Sequence, residues 1–181
     1  MVTTSRTTIE AFEAMSLEGR WELIDGELVE MTPSADESSS IAATIIGFLA
    51  PHVRAHHLGR VYAPDGGFVL FPDRPTVRVP DVAFVRADRA PQGAARKHFP
   101  RLAPDLVVEV LSPSDRTSDV VAKLEMYQEA GVPLIWLVDP DNQTVTVIAA
   151  GKSTVVLRQG DTLDGGDILP GFSVPVAELF G

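Results

Sequence analysis

Seven consecutive residues, Asp105-Leu106-Val107-Val108-Glu109-Val110-Leu111, constrain the fold of this chain more than any others. The run is almost continuously apolar, the pattern of a strand covered on both faces, so it predicts a central strand. One carboxylate, Glu109, is embedded in it. An ionised carboxylate is costly to bury unless a cation, a metal or hydrogen bonds compensate it. A compensating group is therefore expected beside Glu109, and the rest of the chain supplies the candidates.

Around that strand the chain reads as an α+β protein. Thr7 or Thr8 can cap a first helix carrying Ile9, Phe12 and Met15 on one face and stopping near Gly19. Trp21 to Ile24 and Glu27 to Met31 flank Asp25-Gly26, a strong hairpin signal, and predict an N-terminal β-hairpin. Ser34 or Asp36 can cap a long helix with an Ile41, Ile45, Phe48 and Leu49 stripe, extending to about Leu58. Val61 to Phe71 and Val79 to Val85 read as strands. The Pro- and Gly-interrupted segment 86 to 104 predicts a mobile loop made locally basic by Arg89, Arg96, Lys97, His98 and Arg101. Ser114 or Asp115 is placed to cap a helix running to Ala130. A hairpin of Leu134 to Val138 with Thr144 to Ala149 follows, then smaller edge elements from Val155. Ile168, Leu169, Phe172 and Leu179 near the C-terminus are expected to close the core rather than meet a partner.

Composition narrows the function. A chain of 181 residues, 45% hydrophobic, suits one domain spanning residues 1–181. With 15 Lys plus Arg against 25 Asp plus Glu, the net charge of −10 argues against a broad basic surface, so any nucleic-acid contact must be local. The absence of cysteine excludes disulfides, thiolate nucleophiles and cysteine-ligated metals. The N-terminus lacks an apolar signal-type segment, and Ile41 to Ala50 is shorter than the ~20 residues a membrane helix needs. A cytoplasmic protein without a membrane partner is expected.

The chemistry gathers around Glu109. Asp81, following Pro80, opens another predicted strand. Two carboxylates converging from neighbouring strands suit a hard divalent cation such as Mg²⁺, with the Val110 carbonyl able to complete the site. Lys123 shares a helical stripe with Val120, Leu124 and Tyr127, which draws its ammonium inward. Beside metal-bound carboxylates that ammonium can stabilise developing negative charge or orient an attacking water. Asp81, Glu109 and Lys123 thus form a candidate catalytic set for phosphodiester hydrolysis. Each has a plainer reading: Asp81 as a turn residue bonding local amides, Glu109 as half of an ion pair, Lys123 as a side chain extended to water.

Pro80-Asp81, the strand from Asp105 to Val110, and Lys123 resemble the PD-(D/E)XK nuclease superfamily, with acid, acid and lysine in order. More closely, Trp21-Glu22-Leu23-Ile24-Asp25-Gly26-Glu27, Met31-Thr32-Pro33, Leu111-Ser112-Pro113-Ser114 and the stretch from Gly131-Val132-Pro133 to Trp136-Leu137-Val138-Asp139-Pro140 are similar to the Uma-type restriction-endonuclease-like family. The resemblance covers most of the chain. It implies a restriction-endonuclease-like, α/β/α-like fold: a mixed β-sheet flanked by helices. It also implies Mg²⁺ dependence, with Mn²⁺ able to substitute, a DNA substrate and a homodimer. Two positions depart from the pattern. Leu111 stands where the superfamily motif has lysine, so Lys123 takes that place, and Ser38 stands where the Uma-type branch has histidine. Ser38 can still donate a hydrogen bond. Glu27, matching the family's Asp-Gly-Glu, could reach the metal site or carry a solvated edge.

The leading expectation is a Mg²⁺-dependent DNA endonuclease whose 86 to 104 loop touches phosphates. The alternatives are a catalytically weak or silent dimeric binding module on the same fold, and a hydrolase of small phosphorylated molecules. His52 and His56, four apart on a helix, lack a third ligand for zinc. Ser112-Pro113-Ser114 lacks the glycines of a nucleophile elbow, and Gly165-Gly166 precedes no helix that would make it a phosphate loop.

Overall fold

A computed structural model describes residues 6–33 and 35–181. The buried run forms β7 (Leu106–Val110), and all five of its residues are buried. It pairs in parallel with β8 (Leu134–Asp139) and antiparallel with β6 (Val82–Arg86). With β9 (Thr144–Ala149), β10 (Val155–Leu157) and β3 (Gly59–Tyr62) these make a six-stranded mixed sheet in the order β10-β9-β8-β7-β6-β3. Successive side chains of a strand point to opposite faces. Leu106, Val108 and Val110 therefore pack with Ile41, Ile45 and Leu49 of α2 (Asp36–Ala55), while Val107 packs with Tyr127 of α3 (Thr117–Glu129). Covering helices on both faces explain why this strand carries no solvent-facing alternation.

A second, four-stranded sheet has the order β2 (Glu27–Glu30), β1 (Trp21–Ile24), β5 (Thr76–Arg78), β4 (Phe68–Phe71). Its β1-β2 pair is the expected hairpin, in register from Trp21 opposite Glu30 to Ile24 opposite Glu27. The helix α1 (Ile9–Ala14) closes the small core of this layer, placing Ile9 and Phe12 with Leu23, Val69 and Val77. Its cap is Thr8, whose hydroxyl accepts from the Ala11 amide at 3.1 Å. A final hairpin of β11 (Thr162–Gly165) and β12 (Leu169–Pro175) brings Leu169 and Phe172 into the core shared with α2, with Ile168 packed against it, and the 3-10 turn Val176–Leu179 that follows adds Leu179. Among the described residues no helix is long and apolar enough to cross a membrane.

Several sequence expectations need correction. The run from Val61 to Phe71 is two strands in two different sheets, because the chain turns at Pro64-Asp65-Gly66, where the Gly66 amide donates to the Ala63 carbonyl at 3.0 Å. The strand expected from Val79 begins only at Val82, since the chain crosses between sheets through Val79-Pro80-Asp81. The first helix ends at Ala14, short of Gly19. The cap of α2 falls on Ala35, without a side-chain bond, and Ser34 lies outside the described residues. Asp115 caps no helix: its carboxylate accepts from the Ser112 amide at 2.8 Å, and α3 starts at Thr117 with Arg116 as its cap.

The basic loop is tied down rather than loose. Arg89 pairs with Asp105 at 2.5 Å, Arg101 with Glu10 at 2.7 Å and His98 with Glu13 at 3.2 Å. The Val69 amide donates to the Pro100 carbonyl at 2.9 Å, and residues Gly93–Lys97 form a short 3-10 helix. Local acids thus neutralise much of its charge.

One glycine fixes an edge of the main sheet. Gly59, at φ +157°, backs onto β6 so closely that a Cβ would meet the Val85 carbonyl oxygen at 2.1 Å. Gly59→Ala is expected to force β3 away from β6, at a cost of about 2–3 kcal/mol in chemical denaturation. An unchanged midpoint would show that the edge strand shifts freely.

Candidate active site

Glu109 and Val107 share the face of β7 that α3 covers, and Glu109 stands at the C-terminal end of that face. Lys123 and Tyr127 are four residues apart on α3, so they project side by side from successive turns. Both reach the same carboxylate: the Lys123 ammonium donates to Glu109 Oε2 at 2.7 Å and the Tyr127 hydroxyl to Glu109 Oε1 at 2.7 Å. The buried charge in the apolar strand is compensated from the helix above it.

Asp81 enters from the corner that joins the two sheets. It lies one step beyond Val82, which pairs with Val108, and its Oδ2 accepts from the Val110 amide at 2.9 Å. A backbone bond to the residue after Glu109 thereby holds the first acid against the second. The structure brings Asp81, Glu109 and Lys123 together in one cleft of about 510 Å³.

Three further charged or polar groups complete the network; none was a candidate site residue from the sequence, although Tyr127 lies on the predicted stripe of Lys123. Glu22 of β1 is 4% exposed; its Oε2 accepts from Arg78 Nη1 at 2.5 Å, its Oε1 from the Val79 amide at 2.8 Å, and Oε1 lies 4.0 Å from Lys123 Nζ. Arg78 of β5, 7% exposed, also directs Nε at the Met126 sulfur at 3.3 Å. Tyr127 is fully buried. Strand alternation was the available signal for Glu22: Leu23 fills the small core, so Glu22 must face the other way, toward α3.

The electrostatics follow from burial. Desolvation pushes the Glu109 carboxyl up to about 7, against the pull of Lys123, and the neighbouring Asp81 charge pushes in the same upward direction. Desolvation also raises Asp81, opposed by its bond from Val110 and by the Lys123 charge. For Lys123 desolvation works downward, but the Glu109 and Glu22 charges outweigh it and hold the ammonium above its ordinary range. Desolvation raises the Tyr127 phenol well above its ordinary value, followed by the Glu109 charge, so it remains a neutral donor. Two adjoining carboxylates whose proton affinity is raised by desolvation form a hard-oxygen pair that suits a divalent cation. Among the described residues no group of three or more acidic or histidine side chains gathers to hold an ion unaided.

Not every candidate reaches the site. Glu27 is exposed at the start of β2 and does not line the cleft, where Val29, Glu30 and Met31 of the same hairpin do. Ser38 is buried in the first turn of α2, where its hydroxyl donates to the Ala35 carbonyl at 3.1 Å; it lines a neighbouring hollow with Leu111 and Asp115. No residue of the 86 to 104 loop lines the cleft. That loop leaves from Arg86 and returns at Asp105, the ends of β6 and β7 opposite Asp81 and Glu109. His52 and His56 stack at 4.4 Å, but their ring nitrogens meet the Pro170 and His52 carbonyls.

The fold has a counterpart among solved structures. A crystal structure described as a putative nuclease belonging to DUF820 from Anabaena variabilis ATCC 29413 superposes with a TM-score of 0.82 at 21% sequence identity, covering 96% of this chain and 97% of that one. The two share a fold. No curated protein matches the chain by sequence. The Uma2 profile, described as "putative restriction endonuclease", matches residues 9–177, a span holding both sheets' site-forming strands and all of α3. By that match, the chain belongs to the Uma2 family.

Proposed function

We propose that this chain is a Mg²⁺-dependent nuclease that hydrolyses phosphodiester bonds of DNA. The observation that carries the reading is the convergence of Asp81, Glu109 and Lys123 in one cleft, with Lys123 2.7 Å from Glu109. Asp81 and Glu109, with the Val110 carbonyl, would hold the ion, and water and substrate oxygens would fill the remaining positions. A bound divalent cation supplies Lewis acidity toward a phosphoryl oxygen and acidifies a water. Lys123, kept protonated by its acidic neighbours, acts as a fixed cation that stabilises charge developing on the phosphoryl oxygens and orients the attacking water. Tyr127 holds Glu109 in place through a neutral hydrogen bond. Asp81 keeps its geometry through the Val110 amide. The family description and the nuclease relative support the same reaction class.

Calorimetric titration with Mn²⁺ tests the metal site through its pH dependence. Glu109 binds a proton below about 7, and a cation must displace that proton. Mn²⁺ affinity is expected to fall as pH drops from 8 to 6, and Asp81→Asn to weaken it at every pH. Metal-free stability has the opposite sign. A carboxyl raised from 4.5 to about 7 on folding contributes stability below 4.5 that is lost as pH rises through 7. Affinity that is flat between pH 6 and 8 would remove Glu109 from the ligand set.

One observation favours a second reading, a catalytically silent module. Both Glu109 oxygens already accept from side chains of this chain, so the buried charge is compensated without a metal. Mn²⁺ titration separates the two, because a silent module would show no binding that depends on Asp81.

A further inference from the structure

A groove of about 1210 Å³ lies apart from the catalytic cleft. It runs along the outer side of β3, the edge strand of the six-stranded sheet, between the end of α2 and the turn after β6. Its polar walls are Arg54, His57, Arg60, Tyr62, Gln92 and Arg96, and among the described residues no Asp or Glu lines it. In a chain with 25 acids and a net charge of −10, an acid-free groove with three arginines is a local reversal of sign. Arg54 and Arg96 are exposed and form no ion pair among the described residues, in contrast to Arg89 and Arg101 of the same loop region. Arg60 is partly spent on structure, donating to the Pro91 carbonyl at 2.6 Å and to Gln92 at 3.4 Å.

The catalytic cleft has the opposite character. Six acids line it, Glu22, Glu30, Asp81, Glu109, Asp115 and Asp119, against three bases, Arg20, Arg78 and Lys123. A polyanion anchored there alone would meet net repulsion beyond the reacting phosphate. The two features share no lining residue, but β3 runs from the loop end of the groove toward the corner that holds Asp81. Tyr62 of β3 pairs with Ala83, two residues from Asp81, and just past it the Pro64 carbonyl accepts from Arg20 at 2.7 Å, an arginine that lines the cleft. A strand lying along β3 would therefore lead into the site.

We infer that the β3 groove binds the sugar–phosphate backbone of the substrate DNA flanking the scissile bond, through Arg54 and Arg96. The inference rests on the nuclease reading for its choice of DNA and identifies where that substrate is held. Phosphate contacts set affinity and its salt dependence, each neutralised phosphate of a duplex contributing about 0.9 to the slope of log K against log salt.

The test is fluorescence anisotropy of a labelled duplex oligonucleotide with the wild-type chain and with Arg54→Ala/Arg96→Ala, across a salt series in the presence of chelator. Both side chains are exposed, so the fold is expected to survive. The double variant should bind about tenfold more weakly or worse, with the salt slope reduced by about 1.8. Equal affinity and slope in the two proteins would overturn the inference, as would a wild type that binds no duplex. So would sedimentation showing a dimer that Arg54→Glu/Arg96→Glu dissociates, which would give the groove to a second copy of the chain. Failure of the nuclease reading looks different: groove-dependent binding would persist while neither Mg²⁺ nor Mn²⁺ produced cleavage that depends on Glu109.

Discussion

Glu109→Gln is expected to lower metal-dependent DNA cleavage by at least about 10³-fold while leaving the protein folded. The choice of glutamine matters. Glu109 is buried under Lys123 and Tyr127, and truncation to alanine would leave the Lys123 ammonium buried beside an empty space, with only Glu22 at 4.0 Å and the charge of Asp81 for compensation. Breaking a buried pair from one side costs about 3–5 kcal/mol, so an inactive Glu109→Ala could simply be an unfolded one. Glutamine keeps the volume and offers an oxygen to Lys123 or Tyr127, but it removes the charge that a divalent cation needs. The measurements are single-turnover cleavage of duplex DNA in Mg²⁺ and circular dichroism of the same sample. Cleavage within about tenfold of wild type, from a folded variant, would end the assignment of Glu109 to the catalytic centre.

How much of this was legible follows residue by residue. Glu109 announced itself because a charge inside Val-Val-Glu-Val-Leu has no inexpensive structural explanation, and Lys123 and Tyr127 were reachable because side chains four apart on a helix meet the same neighbour. The central, doubly covered strand was legible from the same run, whereas the mixed sheet flanked by helices was implied only by the family resemblance. Glu22 and Arg78 were hidden for a different reason. Trp21-Glu22-Leu23-Ile24 reads as a hairpin strand with one polar face, and nothing in a period of two says whether that face meets water or a second layer. The division into two sheets was hidden too, because β3 and β4, like β5 and β6, follow one another closely in sequence yet belong to different sheets. The basic segment 86 to 104 misled because its charge was counted without its partners Glu10, Glu13 and Asp105, two of which come from a helix far away in the chain.

Arg78→Leu is expected to destabilise the protein by about 3–5 kcal/mol, and Glu22→Leu/Arg78→Leu to recover most of that loss. Both side chains are less than a tenth exposed, and Arg78 supplies the 2.5 Å partner of Glu22. With Arg78 removed, the Glu22 carboxylate keeps only the Val79 amide and a distant Lys123, an arrangement that leaves a buried charge mostly uncompensated. Removing both partners restores an apolar interior between β1, β5 and α3, which is close to neutral for stability. At about 2–4 °C per kcal/mol for a chain of this size, the single variant should lose roughly 6–20 °C in Tm. Activity should separate from stability. The double variant, though folded, loses the Glu22 charge that helps hold Lys123 protonated and in place, so its cleavage rate is expected to fall while Mn²⁺ affinity, set by Asp81 and Glu109, stays near wild type. A double variant as unstable as Arg78→Leu would mean that the pair does more than compensate its own burial, and one with full activity would release Glu22 from any part in positioning Lys123.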